Sequence, residues 1–591
     1  MIVSMKKVTV VTQAKDRLDI LNKLQILEVL HIEHAQEPKS NDIVALSEEI
    51  SLLDQALSIL ASLPAPKKIA LSQEVVKGQA IYRHVIDLQK RKDQLREYLT
   101  LLKVGIKKYQ EWGNFEPEDF VNLAKNNIFA GLYQIPLKQL KQIPEDILVN
   151  QLSVKGKVAN CFLVARKKIE IDFKEISLPS ISLEKMLQRQ KQDLQAIATL
   201  ENQLIQQLVY QKELIKFKAD LQKKLEFQEA FSGMGNSEQL VFLKGYLPAD
   251  AELALVAQAK QKGWGILTSV PSDTDEVPTL LRNPGWISFI KPLLKLLELV
   301  PGYRELDISP LFIVFFSLFF GMLIGDAGYG LVYLILNFWL QKKFASKIKD
   351  QSAFFLFYIL SFCAIIWGIL TATFFGQGWL LDLGIKPLIP ALGNTAFIQA
   401  LCFFIGALHL SFAHSWRAIL KAPALSALAD LGWICVIWAV FFLAKNLILG
   451  DIFPGFANGL IISGLVLVLF FTSPQKNIFK TIAEGLGTIA LSLVNNFTDV
   501  VSYIRLFAVG LAGVAIADAF NAMAAGVFKK GDFLTIIAAA LIVILGHALN
   551  IILGPMSVLV HGVRLNVLEF CGHANVTWSG FAYKPFGRKE N

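Results

Sequence analysis

Hydrophobic positions follow three different rhythms along this chain. Lys6–Thr12 is rich in β-branched residues and turns polar at Gln13, which predicts a buried strand; a helical pattern runs from about Asp16 to Leu27, and Val29–Ile32 reads as a second strand. Two long helical stretches follow, at about 42–109 with a break at Pro64–Pro66, and at about 182–231. In the second, Leu187, Leu194, Leu208 and Ile215 share one heptad position and Ile197, Leu204 and Leu225 another, with Glu201 interrupting. Strand-like segments at Ile128–Ile135 and Val158–Val164 lie between the two stretches. The pattern predicts an antiparallel coiled-coil hairpin with a small α/β lobe at its tip. Leu240–Leu247, a helix near Ala249–Lys262 and Gly263–Val270 add a strand–helix–strand unit, which joins the N-terminal strands in a second lobe. The competing expectation for this half is a plain helical bundle.

From Pro310 the rhythm changes to long apolar runs, at about 310–325, 327–341, 353–376, 396–420, 428–448 and 455–473. Two more, at about 480–525 and 533–571, exceed the roughly 20 residues of a perpendicular span, so each tilts or projects from the bilayer. The expectation is an α-helical polytopic membrane protein of eight spans, two of them long and tilted, carrying an N-terminal cytosolic α+β module with a coiled-coil arm. Its domains are then 1–305 (the arm), 306–475 (spans one to six) and 476–591 (spans seven and eight and the tail).

Charge sharpens this division. Of 591 residues 53% are hydrophobic and 18% charged, but the first 305 carry 78 charged side chains and the remaining 286 only 29. The first part holds 41 basic and 37 acidic residues with signs interspersed, as on a solvated helical surface, and predicts no nucleic-acid partner. Cys161, Cys363, Cys402, Cys435 and Cys571 form no CxxC pair, so neither a disulfide framework nor a zinc site is expected. The apolar start MIVSMKKVTVV is too short for a signal peptide. Basic residues crowd alternate short loops: Lys342, Lys343, Lys347 and Lys349; Arg417 and Lys421; Lys476 and Lys480; and the tail Lys584, Arg588 and Lys589. The opposite loops hold mainly Lys386, Lys445, Lys529 and Lys530. Both termini and the large module are therefore expected in the cytoplasm.

No GxxxxGK[ST] loop is present (Lys77-Gly78 and Gly156-Lys157 do not supply one), nor HExxH or GxSxG, so a nucleotide site, a catalytic centre, a metal or a cofactor is not expected. Two arginines stand out in the long apolar runs: Arg505 in SYIRLFAVGLAG and Arg564 in HGVRLNVLEF. A guanidinium at mid-membrane costs about 2.5–3.5 kcal/mol on insertion scales and does not usefully deprotonate, so such a residue faces a wet cavity or a counter-charge. At about 100° per residue, Asn495, Thr498 and Ser502 share the Arg505 side of the helix, with Asp499 a little further round and the small Ala512 and Gly513 continuing the stripe. Asn550, Gly554, Ser557 and His561 gather around Arg564, with His547 at the margin and Pro555 a candidate kink. Two helices each presenting a polar stripe to an arginine are the expected lining of an ion path. His409, His414 and Asp430 read as packing contacts in preference to an outer vestibule, and Asp326 as the tie of a tight hairpin.

These segments resemble subunit a of the rotary vacuolar-type ATPases, called subunit I in the archaeal and bacterial V/A-type enzymes. SYIRLFAVGLAG at 502–513 is similar to the family's most specific segment; HGVRLNVLEF at 561–570, with Phe581 and Lys584-Pro585-Phe586, is similar to its C-terminal segment. GMLIGDAGYG at 321–330 resembles its first hairpin, and PTLLRN at 278–283, with Tyr303, Glu305, Asp307 and Pro310, the approach to the membrane. The chain departs from eukaryotic members at Gly513, where they carry histidine, and at Gly554, where they carry glutamate.

The resemblance implies a non-catalytic stator subunit beside a rotating proteolipid c/K ring, with E/G-type peripheral stalk subunits and other rotary ATPase subunits as partners, in the lipid bilayer of a prokaryotic inner membrane. It implies that Arg505, assisted by Arg564, faces the ring carboxylates and separates two half-channels. The cytosolic one has Asn495, Thr498, Asp499, Ser502 and Glu569 as candidates; the outer one has Asp518, Asn521, His547, Asn550, Ser557 and His561. H⁺ or Na⁺ would be coupled to ATP hydrolysis or synthesis. The competing readings are a gradient-driven secondary transporter or channel without a rotor, expected to show inverted repeats, and a membrane scaffold whose arginines pair internally.

Overall fold

The computed structural model describes residues 1–64, 78–169, 171–237, 239–346, 348, 350–472, 478–529 and 532–587. The Pro64–Pro66 break, the Lys77-Gly78 step and the loop cations Lys347, Lys349, Lys476, Lys530, Arg588 and Lys589 fall wholly or partly outside them. The chain divides into two compact units. One holds residues 1–10, 29–33 and 244–585; the other holds 11–28, 34–243 and the residues after 585.

In the second unit the helix Asn41–Ala61 packs on Gln211–Ser232, and Gly78–Tyr109 packs on Leu183–Gln206. Ser40 starts the first of these by accepting from the Ile43 amide, satisfying one of the donors a helix start leaves open. Leu53, Ala56, Leu60, Tyr82, Val85, Leu88, Leu204, Leu214 and Leu221 bury between the helices. The heptad stripe expected at Leu187, Leu194 and Ile215 is corrected here: these three side chains are exposed. Met186 and Asp193, one residue earlier, are buried in their place, while Ile197 and Leu204 of the second expected position are buried as expected. A tighter 3₁₀ turn at Gln207–Tyr210 then resets the register before Leu214 and Leu221. Beyond the helices, a four-stranded antiparallel sheet runs Leu148–Lys155, Val158–Ala165, Phe129–Pro136, Lys174–Ile176. Alternate residues of its two central strands bury to opposite faces. Tyr133, Ile135, Ala159, Cys161 and Leu163 form one small core, and Leu132 packs with Phe120, Trp112, Ile106 and Met186 in another.

The strands with most of their residues in the first unit are ordered His31–Glu33, Leu240–Pro248, Met5–Gln13, Gly265–Ser269. The Lys7 ammonium lies 2.6 Å from Asp275. Hydrogen bonding to Lys7 holds the Asp275 carboxyl down at about 2, while Asp275 pushes the Lys7 ammonium up. The C-terminal tail returns to this region: the Thr279 amide donates to Phe581 O and the Tyr583 amide to Thr279 O. Glu305 accepts from the Thr577 hydroxyl (2.5 Å) and amide (3.0 Å), the Gly302 amide (2.8 Å) and the Ser579 hydroxyl (3.2 Å). Burial pushes its carboxyl up, but these donors outweigh that and leave it below its ordinary value.

The rest of this unit is helical. Among the described residues, five helices are long and apolar enough to cross a membrane: Ser352–Thr371, Thr395–Lys421, Ala427–Leu449, Ile482–Phe528 and Phe533–Ala574. A pair bent by 120°, Ser309–Ile324 with Ala327–Phe344, makes six if it counts as one span, and Gly455–Phe471 is a shorter apolar helix. Gly325 turns the corner of the bent pair with φ +66°. Asp326 then caps the second arm through the Tyr329 amide (3.0 Å) and receives the Phe375 (3.0 Å) and Gly376 (2.9 Å) amides from across the bundle. Small residues let backbones approach: a Cβ on Gly510 would lie 2.5 Å from Met322 O. Phe312, Phe319, Phe403 and Tyr503 fill the centre.

Candidate functional site

Both arginines sit where their helices are irregular. The Arg505 helix breaks at Tyr503, between Ile478–Ser502 and Ile504–Phe528. The Ser502 carbonyl accepts from Arg505 Nε at 3.0 Å. Tyr503 is fully buried and bonds His409 Nδ1 through its hydroxyl at 2.8 Å, while His409 stacks between Phe315 and Phe570. In the last long helix Pro555 has no N–H for the Ile551 carbonyl one turn earlier, and the Tyr333 hydroxyl donates to that carbonyl instead, at 2.8 Å. Beyond the proline the helix widens into π geometry at Val558–Gly562 and Leu565–Phe570, which sets the directions of Arg564 and Glu569.

Glu569 joins the two arginines. Its Oε1 lies 2.5 Å from Arg505 Nη2 and 3.4 Å from Arg564 Nε. The carboxylate is 5% exposed, Arg505 22% and Arg564 56%, so the deepest charge is compensated by two cations that still reach the surface. Ser502 belongs to the same group and donates its hydroxyl to Asp499 O. Asn495 and Thr498 are exposed, and Thr498 bonds back to Val494 O. His561 is half-buried one turn before Arg564.

Asp499 leads elsewhere. Its Oδ2 is 3.1 Å from His573 Nε2; His573 Nδ1 is 2.9 Å from His414 Nε2; His414 Nδ1 is 3.1 Å from Asp430 Oδ1. Lys421 (2.7 Å) and Arg417 (3.5 Å) close the series on Asp430, and Arg417 Nη1 also donates to His573 O. His414, Asp430 and His573 are buried. The packing expected of His414 and Asp430 is thus a charged hydrogen-bonded chain. His573 carried no signal in the sequence, being a lone histidine after an apolar run.

A second polar group lies further along the two long helices. His547 bonds the Tyr329 hydroxyl (2.7 Å) and Asn521 Oδ1 (3.1 Å), and Asn550 donates to the Tyr329 hydroxyl (3.0 Å) and Gly513 O (2.8 Å). Asn521 also donates to Phe375 O, and Asp518 accepts the Gly378 amide at 2.9 Å. Asn550 and Ser557 line a cavity of about 320 Å³ together with Tyr329, Tyr333, Ala508, Ala512, Gly513 and Gly554. The two glycines at which the chain departs from eukaryotic sequences therefore face one space. Tyr329, which ties this group together, went unnoticed in the sequence although it stands inside GDAGYG. Among the described residues no group of three or more His, Cys, Asp or Glu side chains could hold a metal ion.

No family model matches the chain. It is 31% identical over 622 residues to the V-type ATP synthase subunit I of Borreliella burgdorferi, covering 99% of each chain. It is 28% identical over 625 residues to V-type ATP synthase subunit I 1 of Treponema pallidum, covering 99% of this chain and 100% of that one. The A-type ATP synthase subunit I of Methanocaldococcus jannaschii is 27% identical over 470 residues, 71% of this chain and 66% of the relative. Among solved structures, a cytoplasmic N-terminal domain of subunit I, homolog of subunit a, of V-ATPase aligns over 45% of this chain and all of its own, with 13% identity and a TM-score of 0.23.

Proposed function

The chain belongs to the V-type ATP synthase subunit I family and is thus a membrane-sector subunit of a rotary ATPase; from that premise we propose that it is the stator subunit whose Arg505 faces the carboxylates of a rotating proteolipid ring. The observation that carries this reading is the Arg505–Glu569 pair, set at a helix break inside apolar helices. A ring carboxylate crossing lipid must be neutral, because an isolated charge there is prohibitively costly. Opposite Arg505 it ionises and releases its ion, since the fixed cation compensates the new charge. Ala508, Ala512, Ala515 and Ala519 form an exposed run of small side chains on the same helix, a surface along which a ring helix can pass closely.

The finer reading follows. Eight spans result when both arms of the bent pair and Gly455–Phe471 cross with the five long helices. Both termini are cytoplasmic, in a prokaryotic inner membrane. Asn495, Thr498, Asp499, Ser502 and Glu569 then lie toward the cytosol, and Asp518, Asn521, His547, Asn550, Ser557 and His561 toward the outside. Residues 1–305 act as a stator arm, with a coiled-coil hairpin holding E/G-type stalk subunits. ATP chemistry belongs to other subunits.

A scaffold whose arginines pair internally draws on the same Glu569 contact, and one experiment separates the two. In the reconstituted complex, Arg505→Ala abolishes ion transport coupled to ATP turnover and leaves assembly intact; coupled transport at the wild-type rate by this variant favours the scaffold.

A further inference from the structure

Three hydrogen bonds join Asp499, His573, His414 and Asp430 in series, at 3.1, 2.9 and 3.1 Å. They need three hydrogens. Two neutral imidazoles supply two, and Asp430, held by Lys421 and Arg417, is ionised. The third is one labile proton, carried either on Asp499 or on the imidazole pair. With His414 Nδ1–H donating to Asp430, its Nε2 accepts from His573 Nδ1–H, and His573 Nε2 accepts from the protonated Asp499. Every heteroatom along the line is then used once.

The series also has a direction. Asp499 lies on the Arg505 helix six residues before the arginine. Asp430 opens the helix Ala427–Leu449, opposite Lys421 at the end of Thr395–Lys421, and these cations reach the surface. His573 sits in the last turn of the chain's final helix, just before the tail that bonds Glu305 and Thr279. The charged groups that face the two rings are Asp430, Arg417, Lys421 and Asp499.

We propose that Asp499, His573, His414 and Asp430 are a proton relay on the cytosolic side of Arg505, and that the ion exchanged there is accordingly H⁺ and not Na⁺. The proposal rests on the rotor-facing reading of Arg505. In the outbound step the O–H bond of Asp499 breaks and its proton bonds to His573 Nε2. The Nδ1 proton of His573 passes to His414 Nε2, and the Nδ1 proton of His414 passes to Asp430, which yields it to water. One proton leaves, Asp499 is left ionised, and the rings hold two hydrogens with the opposite tautomers; a proton entering from the cytosol runs the steps backwards. Sodium has no such route. Two ring nitrogens 2.9 Å apart touch directly and leave no space for a hard cation, which takes oxygen ligands.

The test uses the complete complex in vesicles, reading ATP-driven acidification with a trapped pH dye in sodium-free medium and sodium uptake in a parallel assay with sodium outside. His414→Gln and His573→Gln each lower the rate by about tenfold or more, with the complex intact on a sizing column. His573→Ala does the same, and imidazole added on the cytosolic side restores part of its rate, which a purely structural histidine would not allow. If His414→Gln fails to assemble, the two His573 variants carry the test. Wild-type acidification by both histidine variants, or ATP-driven sodium uptake that a protonophore leaves untouched, overturns the relay. Arg505→Ala run beside them distinguishes the premise: if it pumps, the rotor-facing reading fails, whereas a silent Arg505→Ala with normal histidine variants removes the relay alone.

Discussion

Asp499, His573, His414 and Asp430 bond side chain to side chain, whereas Asp326 at the corner of the bent pair, and Asp518, Asn521 and Asn550 on the two long helices, bind largely to backbone. Asp326 takes three amides, Asp518 takes the Gly378 amide, and Asn521 and Asn550 each donate to a carbonyl. The difference lies in what each group is free to do. A carboxylate spent on amides at a loop fixes the loop, and an amide side chain neither gains nor loses a proton near neutral pH. An imidazole accepts a proton on one nitrogen while giving one up from the other, and two rings bonded through their own nitrogens pass it along. The first group is built to move charge and the second to hold helices and loops around a cavity.

The largest way to break this contrast is to strip the charge centre. Glu569→Ala leaves Arg505 without its nearest anion and is expected to cost about 3 kcal/mol or more and to abolish coupled transport, measured by thermal unfolding of the purified complex and by ATP-driven transport. Asn550→Ala is expected to cost about 1–3 kcal/mol, since the Gly513 carbonyl loses its donor. The rate of ATP-driven transport per assembled complex should stay near the wild-type value; a large loss would place Asn550 in the ion path, as an outer half-channel residue.

A smaller effect belongs to the tail. Glu305 is held below its ordinary value of 4.5, so its contribution is fully present above that value and is lost as pH falls through the lowered one. Glu305→Gln is expected to cost about 1 kcal/mol at neutral pH; its melting temperature and the wild type's should converge on acidification, and a constant gap would show that the carboxylate charge is not what binds the tail. The smallest effect is expected from Asp275→Asn, whose Lys7 partner lies near the surface: at most about 1 kcal/mol, read as a difference in melting temperature that shrinks below pH 4.

Legibility in the sequence followed the same contrast. Arg505 and Arg564 were visible because a charge in an apolar run is conspicuous, and the hairpin corner because Gly-Asp at 325–326 interrupts two such runs. Glu569 was placed near the arginines as a channel residue, but its bridging role needs a partner 64 residues away, which no periodicity encodes. His573 and His414 are 159 positions apart and acquire meaning only where they meet. The helical stretches of the soluble part were legible as helices, and so was the Ile197 and Leu204 position of the seam, but Leu187 and Leu194 fit a heptad at its other position, where Met186 and Asp193 are buried instead. Only packing decides which stripe is buried.

The claim on which the rest depends is that the Arg505 face of its helix meets the rotor, and cysteine crosslinking in the assembled complex tests it most directly. With a second cysteine beside the ring carboxylate, Ala512→Cys, on the exposed alanine run, should form a disulfide on mild oxidation, and Val514→Cys, turned about 200° away, should not. Crosslinking from Val514 with none from Ala512 would contradict the account.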